Sequence, residues 1–238
     1  MIGSSAIQVR KLFKRFGSKT VLHSLEFTVD PGEFVAIIGP NGAGKTTFLR
    51  ILSSLSRPAS GEVIIAGYRL PQQAVQARRI LGVVSHQPLL YGDLTAEENL
   101  RFYGRMYGVC DLEQRVDTVL AMIGLVGRRG DLVRTFSRGM QQRLAIGRAM
   151  LHDPQVILFD EPHTGLDQDA CHILDNVLRD VASLGRAVVM TSHDLERIAD
   201  LASRFDVLWG GKIVASARRA ELGIERLPTF YRQAIPKA

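Results

Sequence analysis

Apolar and polar positions alternate along the first thirty residues. Ile7, Val9 and Leu12 are interleaved with Gln8, Arg10 and Lys14, and the alternation resumes through Leu22, Leu25, Phe27 and Val29. A period of two predicts half-buried strands, with Phe16-Gly17-Ser18 as a hairpin tip and Asp30-Pro31-Gly32 as a turn. Phe34-Val35-Ala36-Ile37-Ile38 is an unbroken apolar run, suited to a strand buried on both faces. Thr47-Phe48-Leu49-Arg50-Ile51-Leu52 then switches to helical spacing. Arg57 to Glu62 reads as a turn, Val63 to Gly67 as a strand and its end, and Ala74 to Arg79 as a short helix. Leu81 to Ser85 reads as a strand ending at His86-Gln87-Pro88.

From about Thr95 to Met150 the strand signal disappears. Glu97 to Tyr107 and Leu112 to Ile123 are amphipathic helices, and Ser137 is a good N-cap for a third running to Met150. The α/β alternation then returns. Val156 to Phe159 is a buried strand, Cys171 to Leu184 a helix and Ala187 to Met190 a strand. Val207-Leu208-Trp209 and Lys212-Ile213-Val214 form a hairpin over Gly210-Gly211. The pattern predicts an α/β core over about 1–87 and 151–216, a helical lobe inserted over about 88–150, and a basic, weakly helical tail over 217–238.

Two local patterns carry chemistry. Gly39-Pro40-Asn41-Gly42-Ala43-Gly44-Lys45-Thr46 joins the buried strand to the helix beginning near Thr47, in the order of a phosphate-binding loop. Its glycines let backbone N–H groups converge, and the helix N-terminus adds free donors. Lys45 is positioned to reach β- and γ-phosphates, and the Thr46 hydroxyl to ligate Mg²⁺. A glycine turn that merely links strand to helix has no need of Lys and Thr after its last glycine. The second pattern is Asp160-Glu161, two carboxylates at the carboxyl end of a buried strand. Asp160 fits a Mg²⁺-side ligand and Glu161 a base that polarises an attacking water. His193 follows the next strand in the same topological place and is a candidate γ-phosphate contact. Gln87 lies past a strand end, where a polar amide can touch a ligand. Phe16 can stack on an adenine ring or can be an idle loop aromatic; beside a phosphate loop we read it as adenine contact. Gly139 leaves the first turn after Ser137 open to an approaching ligand.

Composition bounds the setting. The 238 residues are 46% hydrophobic, enough for a sizeable core, and carry a net charge of +6. The cations are scattered, which suits solvated surface and leaves a basic contact face open. Cys110 and Cys171 have no metal or redox spacing, so a reducing compartment is expected. Met1 to Ala6 holds no signal-peptide pattern, and the longest nonpolar run, Val119 to Gly127, is too short to span a bilayer. Any membrane role is therefore expected through a partner.

The phosphate loop, Gln87, the Ser137 region, Val156 to Glu161, Thr164-Gly165-Leu166-Asp167 and His193 together resemble the ATP-binding-cassette ATPase family, over about Ile7 to Val214. The resemblance implies a P-loop NTPase of ABC type: a RecA-like core, an antiparallel β subdomain and an inserted helical subdomain. It implies ATP and Mg²⁺ as ligands. ATP would be held by Phe16, Val21, Gly39, Pro40, Asn41, Gly42, Ala43, Gly44, Lys45, Thr46 and Thr47. The metal would be held by Thr46, Gln87 and Asp160, and hydrolysis carried by Glu161, His193, Lys45 and Gln87. Two such domains would pack head to tail, each lending Ser137, Gly139 and Asp167 to its partner's nucleotide. Transmembrane subunits would be the further partners, placing the chain at the cytoplasmic face of the membrane. No nucleic acid is expected.

Two departures stand out. Phe136-Ser137-Arg138-Gly139-Met140 puts arginine where the family signature has glycine, with a charge free to face solvent or reach phosphate. His163 replaces a small hydroxyl residue. A narrower resemblance, in Leu55-Ser56-Arg57-Pro58 and in His86 to Leu100, is to the haem-exporter, or cytochrome c maturation, ATP-binding subunit. The competing readings are a multidrug or polysaccharide exporter subunit and a soluble cassette ATPase acting on DNA or ribosomes. No Asn-Lys-x-Asp guanine-reading motif exists in the chain, which sets a GTPase aside.

Overall fold

A computed structural model describes residues 5–85 and 87–236. His86, the first four residues and the last two lie outside the described residues, and with them part of the N-terminal signal-peptide reading and of the His86–Leu100 stretch. The chain opens with the predicted hairpin, β1 (Ile7–Phe16) and β2 (Lys19–Val29), then β3 (Phe34–Ile38) and helix α1 (Lys45–Leu52). β4 (Ser60–Ile65), β5 (Tyr68–Leu70), α2 (Ala74–Arg79) and β6 (Leu81–Val84) follow. Three helices come next: α3 (Ala96–Tyr107), α4 (Leu112–Met122) and α5 (Arg138–Met150). The remainder is β7 (Val156–Asp160), α6 (Gln168–Ser183), β8 (Ala187–Ser192), α7 (Leu195–Ala199), β9 (Arg204–Trp209), β10 (Lys212–Arg218), α8 (Arg219–Leu222) and α9 (Leu227–Ala234).

The strands form two sheets. β2-β1-β4-β5 is antiparallel throughout, and β10-β9-β3-β8-β7-β6 is parallel except for β10. Every residue of β3 and β8 is buried, which accounts for their unbroken apolar runs. The two faces of β3 feed different cores. Phe34, Ala36 and Ile38 pack with α3 to α6, whereas Val35 and Ile37 pack with α1 and the antiparallel sheet. This is the period-two alternation of strand side chains, with both sides covered. The layout is the expected α/β one: a six-stranded, mostly parallel sheet, a separate antiparallel sheet, and three helices between β6 and β7.

Several boundaries move from the sequence reading. β4 begins at Ser60, inside the expected turn, because Ser60 pairs with Phe13 of β1 across a register shift that passes over Gly61. β5 is three residues long at a sheet edge, too short to show a period. α3 starts one residue early under a capping box: the Thr95 hydroxyl accepts from the Glu98 amide at 3.2 Å, and the Glu98 carboxylate accepts from the Thr95 amide at 2.8 Å. α6 starts three residues before Cys171, where the Asp167 carboxylate accepts from the Ala170 amide at 2.8 Å. The tail is more ordered than its composition predicts. β10 runs to Arg218, and α9 buries Leu227 and packs Phe230 and Tyr231 against the core.

Asn99 anchors the loop that leads into α3. It is fully buried; its amide oxygen accepts from the Tyr91 amide at 2.8 Å, and its nitrogen donates to the carbonyls of Tyr91 and Thr95 at 2.9 Å each. Asn99→Ala leaves the Tyr91 amide unpaired, because the carbonyls of Tyr91 and Thr95 keep the backbone amides of Leu94 and Asn99 at 3.3 and 3.0 Å, and is expected to cost about 1–3 kcal/mol in urea unfolding, the range for one unsatisfied group. A loss below about 0.5 kcal/mol, the range of an ordinary surface substitution, would contradict that role.

Candidate nucleotide-binding site

Three neighbouring parallel strands end at one edge of the larger sheet. The registers Ile38↔Ser192 and Asp160↔Thr191 bring the ends of β3, β8 and β7 side by side. The loop after β3 curls into α1 through Gly42 and Gly44, at φ +82° and +108°. At Gly44 a side chain is barred twice over: the conformation is left-handed, and a Cβ would meet the Leu22 side chain at 2.9 Å and the Val21 carbonyl at 3.3 Å. Val21 on β2 therefore stands directly against the loop. Glycine at 44 thus lets the loop pass close against β2.

Lys45 is 5% exposed. Its ammonium donates to the carbonyls of Gly39 at 2.7 Å and Pro40 at 3.2 Å, and lies 3.4 Å from Oε1 of Glu161. The other carboxylate oxygen of Glu161 is 3.1 Å from Nδ1 of His193 and accepts from the Thr164 hydroxyl at 3.3 Å. Glu161 itself sits at φ +48°, a left-handed conformation that costs a non-glycine residue about 1–2 kcal/mol. Its amide is fixed by donation to both the carbonyl and the hydroxyl of Thr191, at 3.2 and 3.1 Å. Strain of this kind persists where surrounding bonds over-determine it.

Thr46 and Asp160 meet across the same edge. The Thr46 hydroxyl lies 3.2 Å from Oδ1 of Asp160, and the fully buried Thr191 hydroxyl donates to that oxygen at 2.8 Å. A hydroxyl and a carboxylate this close are hard oxygen donors of the kind Mg²⁺ takes beside phosphates. Among the described residues no cluster of three or more His, Cys, Asp and Glu side chains could hold a metal alone. One carboxylate with substrate oxygens is therefore the set that fits.

The other expected residues lie apart from this cluster. Gln87 is exposed, and its carbonyl accepts from the Ser85 hydroxyl at 2.8 Å. Phe16 is 56% exposed at the end of β1, with the Lys14 ammonium 4.8 Å over its ring. Ser137 caps α5 by accepting from the Met140 amide at 3.3 Å. Gly139 differs from its expected purpose. It is buried, and a Cβ there would meet that of Ala170 at 2.7 Å, so the glycine serves the close approach of α5 to α6. The Arg138 guanidinium lies over Gly165, beside the loop that leads to Asp167. Ser137 and Asp167 are both exposed. Thr191 carries no pattern in the sequence, and Thr164 stands there only as part of the Thr164-Gly165-Leu166-Asp167 motif, with no role of its own. A hydroxyl ending an apolar strand and another in a turn carry no signal until the strands are paired.

A family model described as ABC transporter matches residues 22–164. The chain belongs to the ABC transporter family. This ABC transporter subunit is 37% identical over 221 residues to a Nod factor export ATP-binding protein I of Cupriavidus metallidurans, covering 92% of this chain and 73% of that one. It is 35% identical over 219 residues to the linearmycin resistance ATP-binding protein LnrL of Bacillus subtilis, covering 91% and 70%. A solved ATP-binding subunit of an ABC transporter superimposes with a TM-score of 0.85 at 31% identity, over 97% of this chain and 99% of that one. A dimeric ATP-binding cassette in a post-hydrolysis state with ADP and phosphate superimposes with a TM-score of 0.80 at 27% identity, over 89% and 98%. The chain is an ABC ATPase. Among the described residues no helix is long and apolar enough to cross a membrane.

The buried Thr191 hydroxyl gives a direct test of this arrangement. Thr191→Val keeps the shape and removes the bonds to Asp160 and to the Glu161 amide. Stability should fall by about 1–2 kcal/mol, and the Mg²⁺ concentration for half-maximal ATP hydrolysis should rise. An unchanged Mg²⁺ dependence would show that Thr191 does not orient Asp160.

Proposed function

We propose that this chain is the ATP-hydrolysing subunit of an exporter, working as a head-to-tail dimer bound to transmembrane subunits at the cytoplasmic face of the membrane. The observation that carries this reading is the meeting of Lys45, Glu161 and His193 at one sheet edge, beside Thr46 and Asp160. Lys45 and the loop amides from Gly39 to Thr47 cradle the β- and γ-phosphates, exchanging the carbonyls of Gly39 and Pro40 for phosphate oxygens. Phe16 stacks on the adenine and Val21 lies against the loop. Thr46 and Asp160, with Gln87, would hold Mg²⁺, which when bound neutralises phosphate charge. Glu161 polarises the attacking water, and His193 holds Glu161 and contacts the γ-phosphate.

Ser137 and Asp167 complete the partner's site in this reading, with Gly139 letting α5 approach α6 behind Ser137. The likeness to a dimeric cassette supports it. The nucleotide joins two surfaces, and cleavage of its terminal bond lets them part, a switch driven by loss of an anionic bridge. The helices over 88–150 form the lobe that meets the membrane subunit. Leu89, Tyr91, Met106 and Tyr107 are exposed there, an aromatic and apolar patch suited to an apolar helix end.

The cargo reading rests on the relatives' names. Nod factor export and linearmycin resistance favour an exporter of secreted or toxic small molecules over haem export, which has only the two short stretches near Leu55 and Gln87 behind it. No observation favours nucleic acid.

Glu161→Gln should keep ATP binding and abolish turnover, giving an ATP-stabilised dimer in size-exclusion chromatography. Near-normal hydrolysis in that variant would refute the general-base role. Phe16→Ala should weaken ATP binding by about 1–3 kcal/mol in calorimetric titration, the range for one base stacked on one aromatic ring. No loss would leave Phe16 outside the adenine site.

A further inference from the structure

His163 stands two residues after Glu161, and its side chain is buried to 8% exposure. Its Nε2 lies 2.7 Å from Oδ1 of Asp175 on α6. A carboxylate only accepts, so Nε2 carries the proton and Nδ1 of the neutral ring is an acceptor. Oδ2 of Asp175 faces Arg197 on α7 at 3.8 Å, and Arg197 in turn pairs with Asp194 at 3.2 Å. Asp175, itself 7% exposed, is thus a shared anchor. One of its oxygens is bonded to the loop that carries Glu161, the other faces the helix that follows His193. Among the described residues Nδ1 of His163 has no partner, although it is buried. His163 also lines a cavity of about 250 Å³ together with Glu161, Thr164, Cys171 and His193.

We propose that His163 is a positioning residue for hydrolysis: through Asp175 and Arg197 it fixes the spacing between the loops of Glu161 and His193. The inference rests on the assignment of Glu161 and His193 above. It gives a reason for histidine at 163, where a small hydroxyl side chain has no reach to Asp175. The spacing matters because Glu161 and His193 meet through a single 3.1 Å contact. A loop released from Asp175 loosens that contact while leaving the phosphate loop untouched.

Two variants separate this role from simple packing. His163→Thr cannot reach Asp175, whereas the amide nitrogen of His163→Gln extends to the place of Nε2 and keeps a donor there. Hydrogen exchange on the intact chain is the first measurement. His163→Thr should raise exchange at Ser192 to Arg197 by about tenfold, the opening expected from one lost bond to a buried charge. Exchange over Gly39 to Thr46 should not change, and His163→Gln should restore protection. Steady-state hydrolysis is the second: kcat should fall in His163→Thr with KM for ATP unchanged, and recover in His163→Gln. Unchanged exchange at Ser192 to Arg197, a uniform rise along the chain, or a glutamine variant no better than threonine would overturn the proposal. A native chain that fails to hydrolyse ATP would instead refute the functional reading, and the exchange result would still decide whether His163 couples the two loops.

Discussion

The side-by-side ends of β3, β8 and β7 are the constraint on which the site depends. Parallel strands in register finish together, so the loop after each delivers its side chains to the same edge. Lys45 arrives from the first, Thr191 and His193 from the second, Asp160 and Glu161 from the third. A slip of one residue in β7 would turn Asp160 to the opposite face of the sheet. The burial of Val156 to Phe159 makes such a slip expensive, because Val156 and Leu158 pack one core and Ile157 and Phe159 the other.

The electrostatics of the edge follow from that delivery. Lys45 is a nearly buried cation held by two carbonyls and by Glu161. The pairing keeps an ammonium in a site that would otherwise be costly to desolvate. An incoming phosphate offers the same ammonium a stronger partner and leaves Glu161 with His193 and Thr164. The carboxylate is then held by hydrogen bonds alone, beside the place where a water must be oriented. The left-handed backbone at Glu161 and its two bonds to Thr191 fix its position before any ligand arrives.

Much of this was legible in the order of residues, for physical reasons. The phosphate loop is read from glycines that must lack a Cβ and a Lys-Thr pair that must follow them. The buried strands are read from apolar runs, and α2 from its own short pattern. What escaped was non-local or too short to show a period. β5 has three residues, and Ser60 has turn chemistry although it pairs with β1. Thr191 is one hydroxyl at a strand end until β7 is laid beside it. His163 and Asp175 are twelve residues apart and meet only through the packing of a loop on a helix. Gly139 read as room for a ligand and is room for Ala170.

The central claim is that Lys45 is the phosphate-binding cation of an ATP site built at this edge. Calorimetric titration of ATP into the native chain and into Lys45→Ala tests it most directly. The account predicts that the native chain binds ATP and that the variant binds it at least about tenfold more weakly, the loss of one charge-assisted contact of about 1.5–3 kcal/mol. Equal affinity in the two proteins would contradict it.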